Sequence, residues 1–212
     1  MINDDSVGKL VMKGTTTLGL VCKDGVILAS DTRVTMGLYV AHKHGKKVYK
    51  IDEHLAMTIA GTVADAQRVV DILTVNAQLY RVNMGRPMPV SAVARVAANM
   101  LFSARYMPLQ TQVLIGGVDD TGSHIFNLDL FGSLTEEKCV STGSGSPVAY
   151  GVLEDKYKEG ASVGEMLPVV AKALDAAIKR NAGTGDGFNV SVIDEKGYRE
   201  LSEKEKKKLF VS

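Results

Sequence analysis

The chain changes its hydrophobic period in blocks, and the order of those blocks limits its fold more than any other feature. From Thr15 to Cys22 and from Val26 to Ser30 the residues are β-branched and apolar, with Lys23-Asp24-Gly25 between the two runs. Asp-Gly in that position is a strong hairpin signal, because the favoured two-residue turn needs positive φ. Strand-like runs follow at Lys47 to Ile51 and Leu55 to Ala60; the second, LAMTIA, is apolar enough to be covered on both faces. The period then lengthens. Ala66, Val69, Val70, Leu73, Ala77 and Tyr80 recur at the spacing of one helical face, which predicts a helix over Val63 to Val82 with Thr62 and Asp65 as a capping-box-like start. Past Arg86-Pro87-Met88-Pro89, the stripe Val90, Val93, Ala94, Ala97, Leu101 and Ala104 marks a second helix, and the two read as a helical hairpin.

Strands return at Gln112 to Val118 and His124 to Leu130, around the turn residues Asp119-Asp120-Thr121-Gly122. Ser146 as N-cap and Pro147 at the first helical position start a helix toward Tyr157. Ser162 and Glu165 cap another, striped from Val163 to Ile178, in which Pro168 is expected to remove a hydrogen bond and add a kink. Phe188 to Asp194 reads as a last strand. Strands adjacent in sequence argue for antiparallel sheets, and helical pairs with one apolar face must cover those sheets from outside. Pattern alone therefore gives a helix-covered α+β layered fold and leaves the stacking of the layers open.

Composition narrows the function. A chain of 212 residues, 45% hydrophobic, can bury roughly 70% of its unfolded surface as one domain, without disulfides or a structural metal. Its two cysteines, Cys22 and Cys139, are isolated, which points away from a secreted disulfide framework and toward a reducing cytoplasm. A formal net charge of +1 is far from the balance of a nucleic-acid binder. The basic run Glu203 to Leu209, EKEKKKL, reads as a solvated tail. No stretch approaches the apolar length of a membrane span, and the polar residues 1–14 lack the apolar segment of a secretory signal.

Several candidate sites weaken on inspection. GSGSPVAYG, Gly143 to Gly151, lacks the Lys and Ser/Thr of a phosphate-binding loop and carries Val148 where a dinucleotide fingerprint needs its third glycine. His42 and His44 have no suitably spaced carboxylate or thiol to complete a metal site and read as exposed loop residues. Neither cysteine has an activating motif around it, and there is no GxSxG elbow. What remains is KGTTTLG, Lys13 to Gly19. Three threonines are an ordinary β-branched strand start. Yet a short polar leader ends at Gly14 directly before the first strong strand, as if residues 1–14 were meant to be removed and Thr15 exposed. A free α-amino group titrates near about 7.7 to 8.0, low enough to act at neutral pH as base for the hydroxyl of its own residue. Gly14, without a Cβ, allows the Thr15 hydroxyl to approach the preceding carbonyl.

TTTLGLVCKDGVILASDTRVT (Thr15 to Thr35), HGKKVYKID (His44 to Asp52), MTIAGTVADAQ (Met57 to Gln67) and STGSGSPVAYGVLE (Ser141 to Glu154) together resemble the archaeal-type proteasome β subunit, in collinear order and over essentially all of Thr15 to Ile193. The resemblance implies the N-terminal nucleophile hydrolase fold, a four-layer αββα sandwich of two antiparallel sheets between helical pairs. It implies a propeptide of residues 1–14 removed by autocatalysis and a catalytic domain over residues 15–212. Thr15 is then the nucleophile, Lys47 the lysine beside it, Asp31 the acid that orients that lysine, Gly61 the oxyanion-hole glycine and Ser144 the serine near the threonine amine. Val34, Ile59 and Val63 match the pocket for the residue before the cut, and all three are apolar, so cleavage after large hydrophobic residues is expected.

One departure stands out. Family members usually have Arg-Asp with a serine three residues after the Asp, whereas this chain has Arg180, Asn181 and Thr184. Asn181 can accept a hydrogen bond and Thr184 keeps a hydroxyl, but the negative charge is gone, and the expectation is an active subunit that is slower than one with Asp there. The resemblance further implies seven-membered β rings, capping α subunits, an ATPase activator acting through the α ring, unfolded polypeptides as substrates, and no metal or organic cofactor. Two alternatives remain: a catalytically silent structural subunit of the same ring, and the simpler bacterial two-ring threonine peptidase.

Overall fold

The computed structural model describes residues 14–210. Apart from Gly14, the expected leader lies outside the described residues, as do the last two residues of the expected catalytic domain.

One five-stranded antiparallel sheet is built around the predicted Asp24-Gly25 hairpin. Strands β1 (Thr17–Cys22) and β2 (Gly25–Asp31) pair with Thr17 opposite Ser30. A short hairpin, β3 (Val34–Met36) and β4 (Tyr39–His42), forms its own two-stranded sheet, which the sequence patterning did not predict. Strands β5 (Val48–Asp52) and β6 (Leu55–Gly61) open the second five-stranded sheet. Helices α1 (Val63–Met84) and α2 (Val90–Ser103) follow, and then β7 (Thr111–Asp119), β8 (Gly122–Leu128), β9 (Leu134–Glu136) and β10 (Cys139–Thr142). The chain continues through α3 (Ser146–Lys156), α4 (Val163–Arg180), β11 (Phe188–Asp194), β12 (Gly197–Glu200) and α5 (Glu203–Lys208). The first sheet has the order β10-β1-β2-β11-β12 and the second β5-β6-β7-β8-β9.

Three apolar layers show how these elements stack. Leu55, Met57 and Ile59 of β6 pack with Val69, Leu73 and Ala77 of α1 and Val93, Ala97 and Leu101 of α2. Leu18 and Leu20 of β1 and Ile27 and Ala29 of β2 pack against α3 and α4 through Ala149, Leu153, Val170 and Leu174. Between the sheets lie Val26, Leu28, Ala56, Leu114, Ile125 and Ile193. Successive residues of β2 thus face opposite layers, as the two-residue strand period requires, and every residue of β2 is buried. The result is the expected αββα sandwich. Leu28, fully buried between the sheets, belongs to the class of core residues whose truncation to Ala costs about 2 to 5 kcal/mol.

Several local expectations change. Thr62 makes no side-chain cap; Asp65 instead accepts a hydrogen bond from the Gln110 backbone N–H at 2.9 Å, tying α1 to the entry of β7. Gly145, not Ser146, is the N-cap of α3, with Ser146 as its first residue. The Ser162–Glu165 capping box forms in full. EKEKKKL is no free tail. Capped by a Ser202–Glu205 box, it forms α5 and buries Lys206, whose Nζ donates to the Phe188 carbonyl at 2.9 Å.

Candidate functional site

The site lies at one end of the sandwich, where the start of β1, the end of β2, the residue before β5 and two loops meet. Thr15 lies two residues before the start of β1 and is almost fully buried. The antiparallel pairing of β1 with β2 carries on past the strand end, with Asp31 N–H donating to the Thr16 carbonyl at 3.1 Å. Lys47 comes from the other sheet, where the Ile59 N–H donates to its carbonyl at 2.9 Å. Its side chain therefore crosses to the Thr15 end of the first sheet.

Asp31 is the hub of the arrangement. Its Oδ1 accepts from Lys47 Nζ at 2.7 Å and from Thr16 N–H at 2.9 Å, and its Oδ2 accepts from the N–H groups of Arg33 and Gly185, both at 3.1 Å. Side-chain exposure is 6% for Lys47 and 0% for Asp31. Lys47 Nζ also donates to Thr15 Oγ1 at 3.1 Å, and Thr15 Oγ1 donates to the Gly14 carbonyl at 2.7 Å. Burial holds the Lys47 ammonium below its usual range, against the opposing attraction of Asp31. Desolvation favours the neutral amine, so this lysine gives up a proton more readily than a surface lysine. A hydroxyl held between such a lysine and the carbonyl of the residue before it is placed for proton transfer and for addition to that carbonyl.

A second network carries the departure from the family pattern. Asn181 Oδ1 accepts from Ser144 Oγ at 2.9 Å, Thr184 Oγ1 at 2.9 Å and the Gly183 N–H at 3.1 Å. Asn181 Nδ2 donates to the Ser144 carbonyl at 3.0 Å. One backbone donor and one backbone acceptor therefore fix the amide orientation, because the reverse placement would face like groups. Since Asn181 Oδ1 can only accept, the Ser144 hydroxyl spends its proton there, leaving its oxygen to accept from Thr15 N–H at 3.3 Å. By the same logic the Thr16 hydroxyl donates to Thr184 Oγ1, 2.8 Å away. The GSGSP segment reaches the Thr15 carbonyl through the Gly145 N–H at 3.3 Å.

On the other side of Thr15 lies a cavity of about 400 Å³ lined by Thr15, Lys47, Gly61, Val34, Ile59 and Val63. The residues expected from the sequence thus fall into two adjoining groups: Thr15, Asp31, Lys47, Ser144, Asn181 and Thr184 in the polar network, and Gly61, Val34, Ile59 and Val63 around the cavity, with Gly14 touching both. Gly61 ends β6 with φ +139°, and a Cβ there would overlap the Gln110 carbonyl, so the bend needs glycine.

Some participants escaped the sequence reading. Arg33 donates through Nε to Asp186 Oδ2 at 2.8 Å and through Nη1 to the Ala182 carbonyl at 2.9 Å. It clamps the loop carrying Asn181 and Thr184 to the end of β2, and the ion pair holds the Asp186 carboxyl below its usual range. Thr16 links the two networks, yet in sequence it is only the middle threonine of three. His42, read as an exposed loop residue, is exposed but lies on β4 and also lines the cavity. Both thiols are pushed up chiefly by burial, Cys22 to about 12 and Cys139 to about 11, so neither is a thiolate at neutral pH. Among the described residues, no group of three or more His, Cys, Asp or Glu side chains gathers as a metal site, and no helix is long and apolar enough to cross a membrane.

Comparison with known proteins places this geometry in context. The family described as proteasome subunit matches residues 11–193. A proteasome subunit beta of Methanothermobacter thermautotrophicus is 48% identical over 198 residues, covering 93% of this chain and 94% of that protein. A proteasome subunit beta of Ferroglobus placidus is 48% identical, covering 92% of this chain and 93% of that one. A proteasome subunit beta 2 of Nitrosopumilus maritimus is 43% identical over 203 residues, covering 96% and 97%.

Proposed function

The chain belongs to the proteasome subunit family, and on that premise we propose that it is a proteolytic β subunit whose Thr15 hydroxyl attacks first the Gly14 carbonyl and then the peptide bonds of unfolded proteins. The observation that carries this reading is the line from Asp31 through Lys47 Nζ to Thr15 Oγ1, 3.1 Å from the lysine, and on to the Gly14 carbonyl 2.7 Å further.

In the first reaction the neutral form of Lys47 takes the Thr15 hydroxyl proton as Oγ1 bonds to the Gly14 carbonyl carbon. The bond from that carbon to Thr15 N breaks, the nitrogen receives the proton, and an ester joins Gly14 to Oγ1. Water then hydrolyses the ester, leaving a Gly14 carboxylate, the Thr15 hydroxyl and a free Thr15 amine. That amine, titrating near about 7.7 to 8.0 when unperturbed, faces Ser144 Oγ and is suited to move protons in every later cycle. The Gly61 N–H is the donor for the oxyanion. The residue before the cut enters the cavity between Val34, Ile59 and Val63, whose apolar walls favour large hydrophobic side chains. Water releases each acyl product from Oγ1.

This chemistry suits a chamber: seven β subunits per ring, capping α subunits and an ATPase that feeds unfolded chains through the α ring keep a broad protease away from folded cytoplasmic proteins. The test is hydrolysis of peptides with a large apolar residue before the cut by assembled complexes. Wild type turns over, and Thr15→Ala, in every copy of the chain, loses turnover; assembly without activity in the wild type would favour the silent structural subunit instead.

A further inference from the structure

Gly14 is held in a slot between two parts of the chain. Its N–H donates to Thr35 Oγ1 at 2.8 Å and its carbonyl accepts from Thr15 Oγ1 at 2.7 Å. Against its α-carbon lies the backbone of Gly183. A Cβ on Gly14 would overlap the Gly183 α-carbon, and a Cβ on Gly183 would overlap the Gly14 α-carbon and come within 3.2 Å of Gly14 N. The two glycines exclude a side chain from each other.

Gly183 has little freedom to retreat. Its N–H is bound to Asn181 Oδ1 at 3.1 Å, and its neighbours are fixed on both sides, Ala182 by Arg33 at 2.9 Å and Gly185 by Asp31 at 3.1 Å. Its backbone lies outside the left-handed region, so Ala fits its own conformation there without strain. After the two Gly14 atoms, the nearest atom to a Cβ at this position is Asn181 Oδ1, at 3.3 Å. Gly183 also lines neither the cavity of about 400 Å³ beside Thr15 nor the smaller one of about 230 Å³ between Gly61 and Ser144.

We propose that Gly183 is a specificity-determining residue for leader removal alone: its missing side chain seats Gly14 for attack by Thr15, and it is dispensable once Thr15 is the first residue. The crowding at Gly183 involves the leader and not the space open to a substrate, so the two reactions of one nucleophile are separable by one methyl group. The inference rests on the reading of Gly14–Thr15 as the processing bond.

The test uses Gly183→Ala in two forms, each co-expressed with its partner subunits: the full chain, and a chain released from a cleavable N-terminal fusion so that Thr15 comes first. Intact mass follows leader loss and peptide hydrolysis follows turnover. In the full chain, leader loss slows by about tenfold to a hundredfold, since misplacing the reacting atoms by about 1 Å costs on the order of a hundredfold. In the pre-trimmed form the Gly14 clash is gone and the backbone N–H to Asn181 is kept, so turnover falls by less than processing does, a few-fold at most for the 3.3 Å approach to Asn181 Oδ1. Wild-type processing in the full chain, or a tenfold or greater loss in the pre-trimmed form, would overturn the proposal. Gly14→Ala supplies the same clash from the leader side without altering the mature sequence, and unchanged processing there overturns it even if Gly183→Ala does not assemble. Failure of the wild type itself to lose its leader, or of pre-trimmed wild type to turn over, counts against the proteolytic reading and not against the slot.

Discussion

Replacing Lys47 with Met tests whether the buried ion pair and the chemistry are one device. Asp31, with no exposed side-chain surface, loses its 2.7 Å partner and keeps three backbone N–H donors, from Thr16, Arg33 and Gly185. Breaking a buried pair from one side costs about 3 to 5 kcal/mol, and the surviving donors place this case at the lower end, about 3 kcal/mol. For a chain of this size that lowers the melting midpoint by about 6 to 12 °C. Adding Asp31→Asn removes the stranded charge and keeps an oxygen for the Arg33 and Gly185 N–H groups, but its NH2 then faces the Thr16 N–H, a mismatch of about 1 to 3 kcal/mol, so the double variant recovers only part of the loss. Neither variant recovers leader cleavage, because no side chain then faces Thr15 Oγ1 to accept its proton, and without cleavage the Thr15 amine is never freed for turnover; the loss is at least about a hundredfold. Calorimetry at fixed complex concentration, with intact mass for processing, checks both arms. A single variant as stable as wild type, or a double variant no more stable than the single, refutes the coupling. A double variant that processes its leader refutes the direct role of Lys47 and makes it a counter-ion only.

Burial lowers the Lys47 pKa below 10.5. Folding therefore disfavours its proton, so its contribution to stability rises as pH climbs through the window between the lowered value and 10.5 and falls away below that window. Leader cleavage should accelerate with pH over the same limb, and Lys47→Arg, which does not deprotonate, should abolish that acceleration in a pH–rate profile; an unchanged profile contradicts the assignment. Asn181→Asp restores a negative charge near the Thr15 amine but removes the Nδ2 bond to the Ser144 carbonyl at 3.0 Å. It should raise turnover while lowering the melting midpoint by about 2 to 4 °C, the equivalent of about 1 kcal/mol; equal or slower turnover defeats the expectation. Val34→Asp should shift cuts in an unfolded protein from apolar toward basic residues by at least about tenfold, the effect of 1.4 kcal/mol of differential binding. Digests that keep the apolar preference would separate Val34 from specificity.

The main strands and helices were legible because each announces itself over many residues. Asp24-Gly25 set the first hairpin, and the stripe from Val163 to Ile178 set α4 with its cap at Ser162. The hairpin β3–β4 was not legible: three- and four-residue strands with exposed Met36 and Tyr39 offer no alternation to detect. Thr62 and Asp65 have the right spacing for a capping box, but Asp65 finds the Gln110 N–H instead, a tertiary partner that local spacing cannot reveal. Lys206 sits in a run of charge that reads as solvent-facing, and only the fold shows the Phe188 carbonyl that draws it inward. Thr15, Asp31 and Lys47 could be picked out through resemblance, whereas Arg33 and Thr16 emerge from geometry, because their partners lie more than 140 residues away in sequence. Asn181 shows the opposite case. Its departure from the pattern was visible in sequence, but the backbone groups that hold its amide in one orientation were not.

The intact mass of this chain in assembled complexes tests the central claim most directly, compared between wild type and Thr15→Ala present in every copy. Self-removal by the Thr15 hydroxyl predicts that the wild-type chain begins at Thr15 and that the variant retains residues 1–14. A wild-type chain that keeps its leader, or a Thr15→Ala chain that loses it at the same bond, would contradict the account.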